Sequence, residues 1–211
     1  MTQPNLPPTS EITACRGAAG ECPHSLASMA SLQDELARVV AESRWDGFLR
    51  AAVKGPILPH YRLKIALAAC PNACTQPQIK DIGIIASVRP RMVSDDCTGC
   101  GECERACGED AIAVVDGRAA LRMERCVGCG ACVRQCPEDA LASDGTRFRL
   151  LLGGRMGRHP RWATEIAELC EQDLPGAVAA ALSLLIERDR PGERFAEMVD
   201  RLGVEVFAGG S

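Results

Sequence analysis

Apolar and polar positions alternate with two different periods along this chain. Leu26, Met29, Ala30, Leu32, Leu36, Val39 and Val40 recur at helical spacing and predict a helix ending near Ser43, with Cys22-Pro23 at its entry. Residues 54 to 60, KGPILPH, break regular structure. Leu63, Ile65 and Leu67 then alternate with Arg62, Lys64 and Ala66, the period of a strand, and this strand runs into Cys70. A second strand is expected in DIGIIASV from Asp81, and a third in Phe148-Arg149-Leu150-Leu151-Leu152. Beyond Gly153-Gly154 helical spacing returns: Arg161 to about Glu171, Pro175 to about Arg188, and Gly192 to about Leu202. Pro175 and Pro191 stand at or just ahead of helix starts, where a missing N–H costs little. Val204 to Phe207 reads as a closing strand, and the Pro- and Thr-rich residues 1–14 as an irregular tail. The pattern is that of an α+β protein.

Between the second and third strands the pattern is interrupted by a segment with its own repeat. Cys97-x2-Cys100-x2-Cys103-x3-Cys107 recurs, 29 residues on, as Cys126-x2-Cys129-x2-Cys132-x3-Cys136-Pro137. Between the runs, Ala111 to Val115, Asp116-Gly117 and Ala119 to Met123 read as a hairpin. This doubled spacing is that of two-cubane bacterial ferredoxins, in which the fourth cysteine of each run serves the other cluster. The expected ligand sets are therefore Cys97, Cys100, Cys103 with Cys136, and Cys126, Cys129, Cys132 with Cys107. Zinc also binds paired C-x2-C, but zinc sites do not require an interlocked doubled run. The segment 90–146 is expected to be a ferredoxin-like module inserted between neighbouring strands, dividing a host domain of residues 15–89 and 147–211.

Composition narrows the classes. Thirteen cysteines in 211 residues, with no charged start followed by an apolar run and a cleavage site, point to a reducing cytoplasm rather than a secreted disulfide framework. Cys170, beside Ile166 and Leu169 on a helical pattern, reads as a core thiol. Trp45 and Trp162 read as packing residues at helix positions. A net charge of −4 without a basic run argues against nucleic acid, and no apolar stretch is long enough to span a bilayer. There is no G-x-G-x-x-G, so reducing equivalents are expected from a protein donor rather than from a nicotinamide.

Four further cysteines remain, Cys15, Cys22, Cys70 and Cys74. The stretch Cys70-Pro71-Asn72-Ala73-Cys74, followed by Asp81-Ile82-Gly83, resembles the iron–sulfur/siroheme signature of the sulfite and nitrite reductases. Gly153-Gly154-Arg155-Met156-Gly157-Arg158-His159-Pro160 resembles that family's G-G-x-x-G-R-x-P segment, and the ferredoxin run after D-I-G resembles the dissimilatory and anaerobic sulfite reductase subunits. The resemblance implies that Cys15, Cys22, Cys70 and Cys74 hold a third cubane, with six residues between the first two where the family normally has five. It also implies that Cys74 bridges that cubane to siroheme, with Asn72 tuning it by hydrogen bonds and Lys80 and Arg158 as cofactor contacts.

Family enzymes have two related halves, and only about 14 residues precede Cys15 here. Arg16, Arg62, Lys64, Lys80, Arg89, Arg155, Arg158 and Arg161 are the cations available for carboxylate or oxyanion contact. The expected function is that of an iron–sulfur oxidoreductase passing electrons through two ferredoxin clusters to a third cubane, coupled to siroheme for reduction of a small oxyanion. The missing half would come from a homodimer or a partner redox subunit. The alternative is an electron-transfer subunit without siroheme; a structural or sensory role for the clusters ranks last. No catalytic residue is identifiable from the sequence.

Overall fold

The computed structural model describes residues 6–190 and 193–208. The host part is one mixed sheet of five strands in the order β1-β2-β3-β6-β7: β1 Ser10–Ala14, β2 Leu63–Ala68, β3 Ile82–Met92, β6 Leu141–Leu152 and β7 Thr164–Leu169. The first three are parallel; β6 and β7 are each antiparallel to the preceding strand. Period-2 patterning decides which side chains go to which face. Ile65, Leu67, Ile82, Ile84, Phe148, Leu150 and Leu152 enter one closed core. Helices α1 (Ala30–Glu42), α2 (Trp45–Ala52), α5 (Leu174–Glu187) and α6 (Phe195–Leu202) cover that face with Leu32, Leu36, Leu49, Val178, Leu182 and Val199.

The opposite face is covered by no long α-helix among the described residues, only by a 3₁₀ turn over Pro77–Ile79 and loop. Its apolar patch is small, Ala68, Ala73, Ile85 and Leu151 with Ala163 beside them, and is covered by the β2–β3 crossover. Two glycines make this close approach possible. A Cβ on Gly83 would stand 2.5 Å from the Pro77 carbonyl oxygen, and one on Gly154 would stand 2.6 Å from that of Lys80. The D-I-G and G-G motifs are thus backbone-contact motifs in which any side chain would collide with a neighbouring main chain.

Segment 93–140 leaves and re-enters the sheet between β3 and β6. Within it α3 (Glu102–Arg105) and α4 (Ala131–Arg134) flank the hairpin β4 (Ile112–Val115) and β5 (Arg118–Leu121). The 29-residue repeat is visible in the backbone: Gly99 and Gly128, Gly101 and Gly130, and Asp110 and Asp139 all have positive φ. Pro90 supplies no N–H to the ladder, and the β3–β6 register shifts between Val88 and Pro90. The Val88 N–H donates instead to the Gly128 carbonyl at 2.9 Å, tying the segment onto the host strand.

Five expectations are corrected. Residues 10–14, expected as tail, are the edge strand β1, whose Ile12 and Ala14 face the core once β2 supplies hydrogen-bond partners. The helix expected over 161–171 is strand β7. A bulge opposite Leu150 and Leu151 lets Ile166 and Leu169, three apart, both face inward, so the helical spacing was produced by an irregular strand. Val204–Phe207 is not a strand: Glu205–Ala208 is a helical turn, α7, whose Phe207 meets Phe195 edge-on at 6.1 Å. Cys170 is no helix core residue but lies half-buried after β7, its sulfur accepting from the Arg147 guanidinium. Trp162 is 74% exposed and lies outside any helix, whereas Trp45 is buried and donates its indole N–H to the Thr9 carbonyl. The expected helix start at Gly192 lies outside the described residues; the observed helix begins at Phe195.

Candidate metal centre

The Cys15 set is assembled at the C-terminal ends of two parallel strands. Cys15 follows β1 directly, and its sulfur accepts the Ala69 N–H at 3.3 Å just beyond β2. A 3₁₀ turn over Arg16–Ala19, closed by left-handed Gly20, returns the chain to Cys22. Gly17 sits in the fold between these cysteines; a Cβ there would lie 3.3 Å from the Cys22 Cβ and 3.5 Å from the Cys15 sulfur. From β2 the chain turns at Cys70, where the Asn72 backbone N–H donates to the Cys70 sulfur. Burial pushes the Cys70 thiol up, and the neighbouring Cys15, Cys74 and Cys22 add to this, so all four thiols share one electrostatic environment. Cys70 is buried while Asn72 and Cys74, flanking the Ala73 of the opposite-face patch, are exposed. Ala73, between them, is in the left-handed region at φ 50, which aims successive side chains of the turn in different directions.

The two remaining sets line two small cavities, and the partition is crosswise. One is lined by Cys97, Cys100, Cys103 and Cys136 with Val114, Ala119 and Leu141. The other is lined by Cys107, Cys126, Cys129 and Cys132 with Ile112 and Leu121. Backbone N–H groups of Gly99 and Ala119 donate to Cys97 and hold its thiol pKa down, and Ala111 donates to Cys107 at 3.3 Å. Cys132 is pushed to about 11 by burial and then by Cys126, Cys129 and Cys107. Its apo thiol therefore stays protonated at neutral pH, and a cation must displace that proton to bind. All thirteen cysteines are free thiols. Thiols grouped in fours with N–H donors aimed at sulfur, and for the two inserted sets an apolar wall, are a donor set that suits an iron–sulfur cage.

The cages are unequally placed. A Cβ on Gly130 would come within 2.6 Å of Val88 Cγ2 and 3.6 Å of Leu26 Cδ2. Leu26 in turn donates its N–H to the Ala69 carbonyl at 2.8 Å, beside Cys70. The Cys126-run cage thus abuts the Cys15 set through Leu26. The Cys97-run cage lies by the hairpin, where Gly99 packs on the Gly117 carbonyl. The helical pattern from Leu26 gave no sign of this contact, because Leu26 precedes α1 and meets the insert only in three dimensions.

Lys80 and Arg158 lie at the other end of the crossover from Cys70. The Lys80 carbonyl accepts the Gly154 N–H at 2.9 Å, and Arg158 is exposed on a loop closed by two 2.9 Å hydrogen bonds between Arg155 and Arg161. Of the other cations, Arg89 pairs with Glu168, Arg155 with Glu197 and Arg161 with Asp200, while Arg62 and Lys64 line a separate cavity.

Comparison with known proteins now gives these features a family. Residues 22–209 match the nitrite and sulphite reductase 4Fe-4S domain, and the chain belongs to that family. Membership implies a 4Fe–4S cluster and an oxidoreductase relationship. Among curated proteins, the chain is 43% identical over 54 residues to the coenzyme F420-dependent sulfite reductase of Methanocaldococcus jannaschii, covering 26% of this chain and 9% of that one. It is 39% identical over 62 residues to one of the subunits of the anaerobic sulfite reductase of Salmonella typhimurium, covering 28% and 18% respectively. These matches span less than a fifth of either relative. Among solved structures, dissimilatory sulfite reductase I aligns with a TM-score of 0.61 at 15% identity, over 95% of this chain and 52% of that one. The NirA protein of Mycobacterium tuberculosis aligns at 0.50 and 18% identity, over 93% and 26%. These likenesses establish the fold, an α+β mixed sheet. Among the described residues no helix is long and apolar enough to cross a membrane.

Proposed function

We propose that this protein is a three-cubane electron carrier of the sulfite/nitrite reductase type that delivers electrons to the cage of Cys15, Cys22, Cys70 and Cys74 for reduction of a small oxyanion. The observation that carries the reading is the packing of the Cys126-run cage, through Leu26 and Ala69, against that set, whose Cys74 is exposed. In this reading Cys97, Cys100, Cys103 and Cys136 hold the outer cubane, and Cys126, Cys129, Cys132 and Cys107 the inner one. The insert is a two-cluster ferredoxin module, reduced by a protein donor in the cytoplasm. When bound, siroheme supplies an open iron position for a multi-electron reduction. The chain's own residues hold the reacting centre: Cys74 presents a thiolate, the Asn72 amide steadies Cys70, and Lys80 and Arg158 offer positive charge to acidic cofactor groups or substrate. A homodimer mate or partner redox subunit supplies the remaining cationic surface.

A specific observation favours the second reading, an electron-transfer subunit without siroheme. Arg89, Arg155 and Arg161 are engaged by carboxylates, which leaves Arg16, Lys80 and Arg158 as the free cations of the expected set outside the separate cavity, among the described residues. The two readings separate in one experiment. Anaerobically purified protein from a siroheme-competent host should contain about twelve irons per chain for three cubanes. An optical spectrum with acid–acetone extraction then reports tetrapyrrole. Near-stoichiometric siroheme establishes the reductase reading, and twelve irons without it establish the relay. About eight irons or fewer reject a third cubane and with it both readings.

A further inference from the structure

On the helix side of the sheet, at the end away from the Cys15 set, α2, α6 and the N-terminal ends of β2 and β3 enclose a cavity of about 630 Å³. That is the size of a small-molecule site. None of the twelve cysteines of the proposed cages lines it. Trp45, Phe48, Tyr61 and Phe195 give it flat apolar walls.

Its charges are unbalanced. Lys54, Arg62, Lys64 and Arg194 line it, and none of the four is in an ion pair among the described residues, whereas Arg44, Arg50, Arg89, Arg91 and Arg149 all are. The Arg62 Nε is buried with no hydrogen-bond partner among the described residues. A guanidinium N–H in that position forfeits its solvation without a replacement, a cost the fold would avoid unless an acceptor arrives. The facing acids do not supply one. Asp81 accepts the Lys64 backbone N–H at 2.8 Å, and Glu193 is held by Arg201. Asp81, whose carboxylate feels the charges of Lys64 and Arg194, and Asp189 are the carboxylates left to set against the four cations, so positive charge remains in excess.

We infer that this cavity is a binding site for a small organic anion with a flat apolar body, an aromatic carboxylate, sulfonate or phosphate ester, whose acidic group is received by Arg62 with Lys64 and Arg194. The aromatic walls take the body and Arg62 supplies a planar donor pair to the anionic oxygens.

The test uses the cluster-loaded full chain and 1-anilinonaphthalene-8-sulfonate, with N-phenyl-1-naphthylamine as its uncharged counterpart. In a Trp162→Phe background Trp45 is the sole indole, so quenching of its emission with matching dye fluorescence reports dye bound near Trp45, and the Arg62→Gln variant assigns it to this cavity rather than to the one Trp45 shares with Thr9 and Gln33. The expected result is one saturable site per chain that quenches Trp45 and binds the uncharged dye roughly tenfold more weakly or worse. Arg62→Gln should lose a similar factor, and Arg118→Gln, which changes an exposed pair with Asp95, should lose nothing. Non-saturable binding, an unquenched Trp45, or equal affinity for the two dyes overturns the proposal, the last without relying on any cavity variant.

Discussion

Asp81 opens the D-I-G motif and does more than precede a strand. It keeps part of its surface open to the cavity, yet dense packing around its carboxyl dominates and desolvation pushes its pKa from 3.8 to about 6, partly opposed by the Lys64 amide and by the charges of Lys64 and Arg194. Because the folded-state value is raised, the folded chain binds this proton more tightly than the unfolded one. The associated stability is fully present below about pH 3.8 and is lost as pH rises through about 6. Asp81→Asn keeps an acceptor for Lys64 and removes the titration. The variant-minus-parent difference in unfolding midpoint should therefore rise between pH 4 and 7 in favour of the variant; a flat difference refutes the shift. Gly83 makes a second prediction at this scale. A methyl group there meets the Pro77 carbonyl, a main-chain atom that cannot rotate away, so Gly83→Ala should cost about 1–3 kcal/mol in a denaturant titration.

At the scale of elements, the doubled run is a pair of interlocked turns rather than two independent loops. The cavities place Cys136 with the first run and Cys107 with the second. Cys136→Ser should therefore perturb the cubane proposed for Cys97, Cys100 and Cys103, and Cys107→Ser the proposed inner one nearer to Leu26. Paramagnetic resonance of the reduced protein checks this. Only loss of the inner cubane should remove magnetic coupling to the Cys15-set signal, and the opposite pattern would exchange the two assignments. Elements also show where local pattern misleads. β2 and β3 were legible because each is a run of apolar residues buried on both faces, and α5 because it keeps a helical period of buried residues. β7 was not, since its bulge spaces Ile166 and Leu169 as a helix would, while Glu165 and Glu168 face outward to Arg149 and Arg89. The edge strand β1 was lost for another reason: five residues carry too little pattern until β2 lies alongside.

For the whole molecule, the sheet face opposite the long helices is the decisive surface. It carries Ala73, flanked by the exposed Asn72 and Cys74. The chain spans about half of the dissimilatory sulfite reductase chain it aligns with; under the proposed function, a siroheme pocket on this face is completed by a second body. Light scattering of siroheme-loaded protein should give a mass above 22.5 kDa, whereas a siroheme-loaded monomer contradicts the shared-pocket proposal. Cys74→Ser should abolish or rearrange the Cys15-set cubane and leave two ferredoxin-like signals. Three unchanged clusters would remove Cys74 from the ligand set.

The sequence by itself determined which cysteines are the candidate metal ligands, because cysteine spacing is a local property: C-x2-C-x2-C-x3-C and C-P-N-x-C bring thiols together within one or two turns of chain. It also determined the apolar faces of the longer elements, whose periods reflect burial on one side. Tertiary structure alone decided which cage abuts which, because the Gly130–Leu26 contact joins residues over a hundred positions apart through the shift in β3 at Pro90. It alone decided that Arg89, Arg155 and Arg161 are spent on carboxylates while the Arg62 Nε is left without a partner among the described residues, since the pairing of a charge depends on what the fold sets beside it.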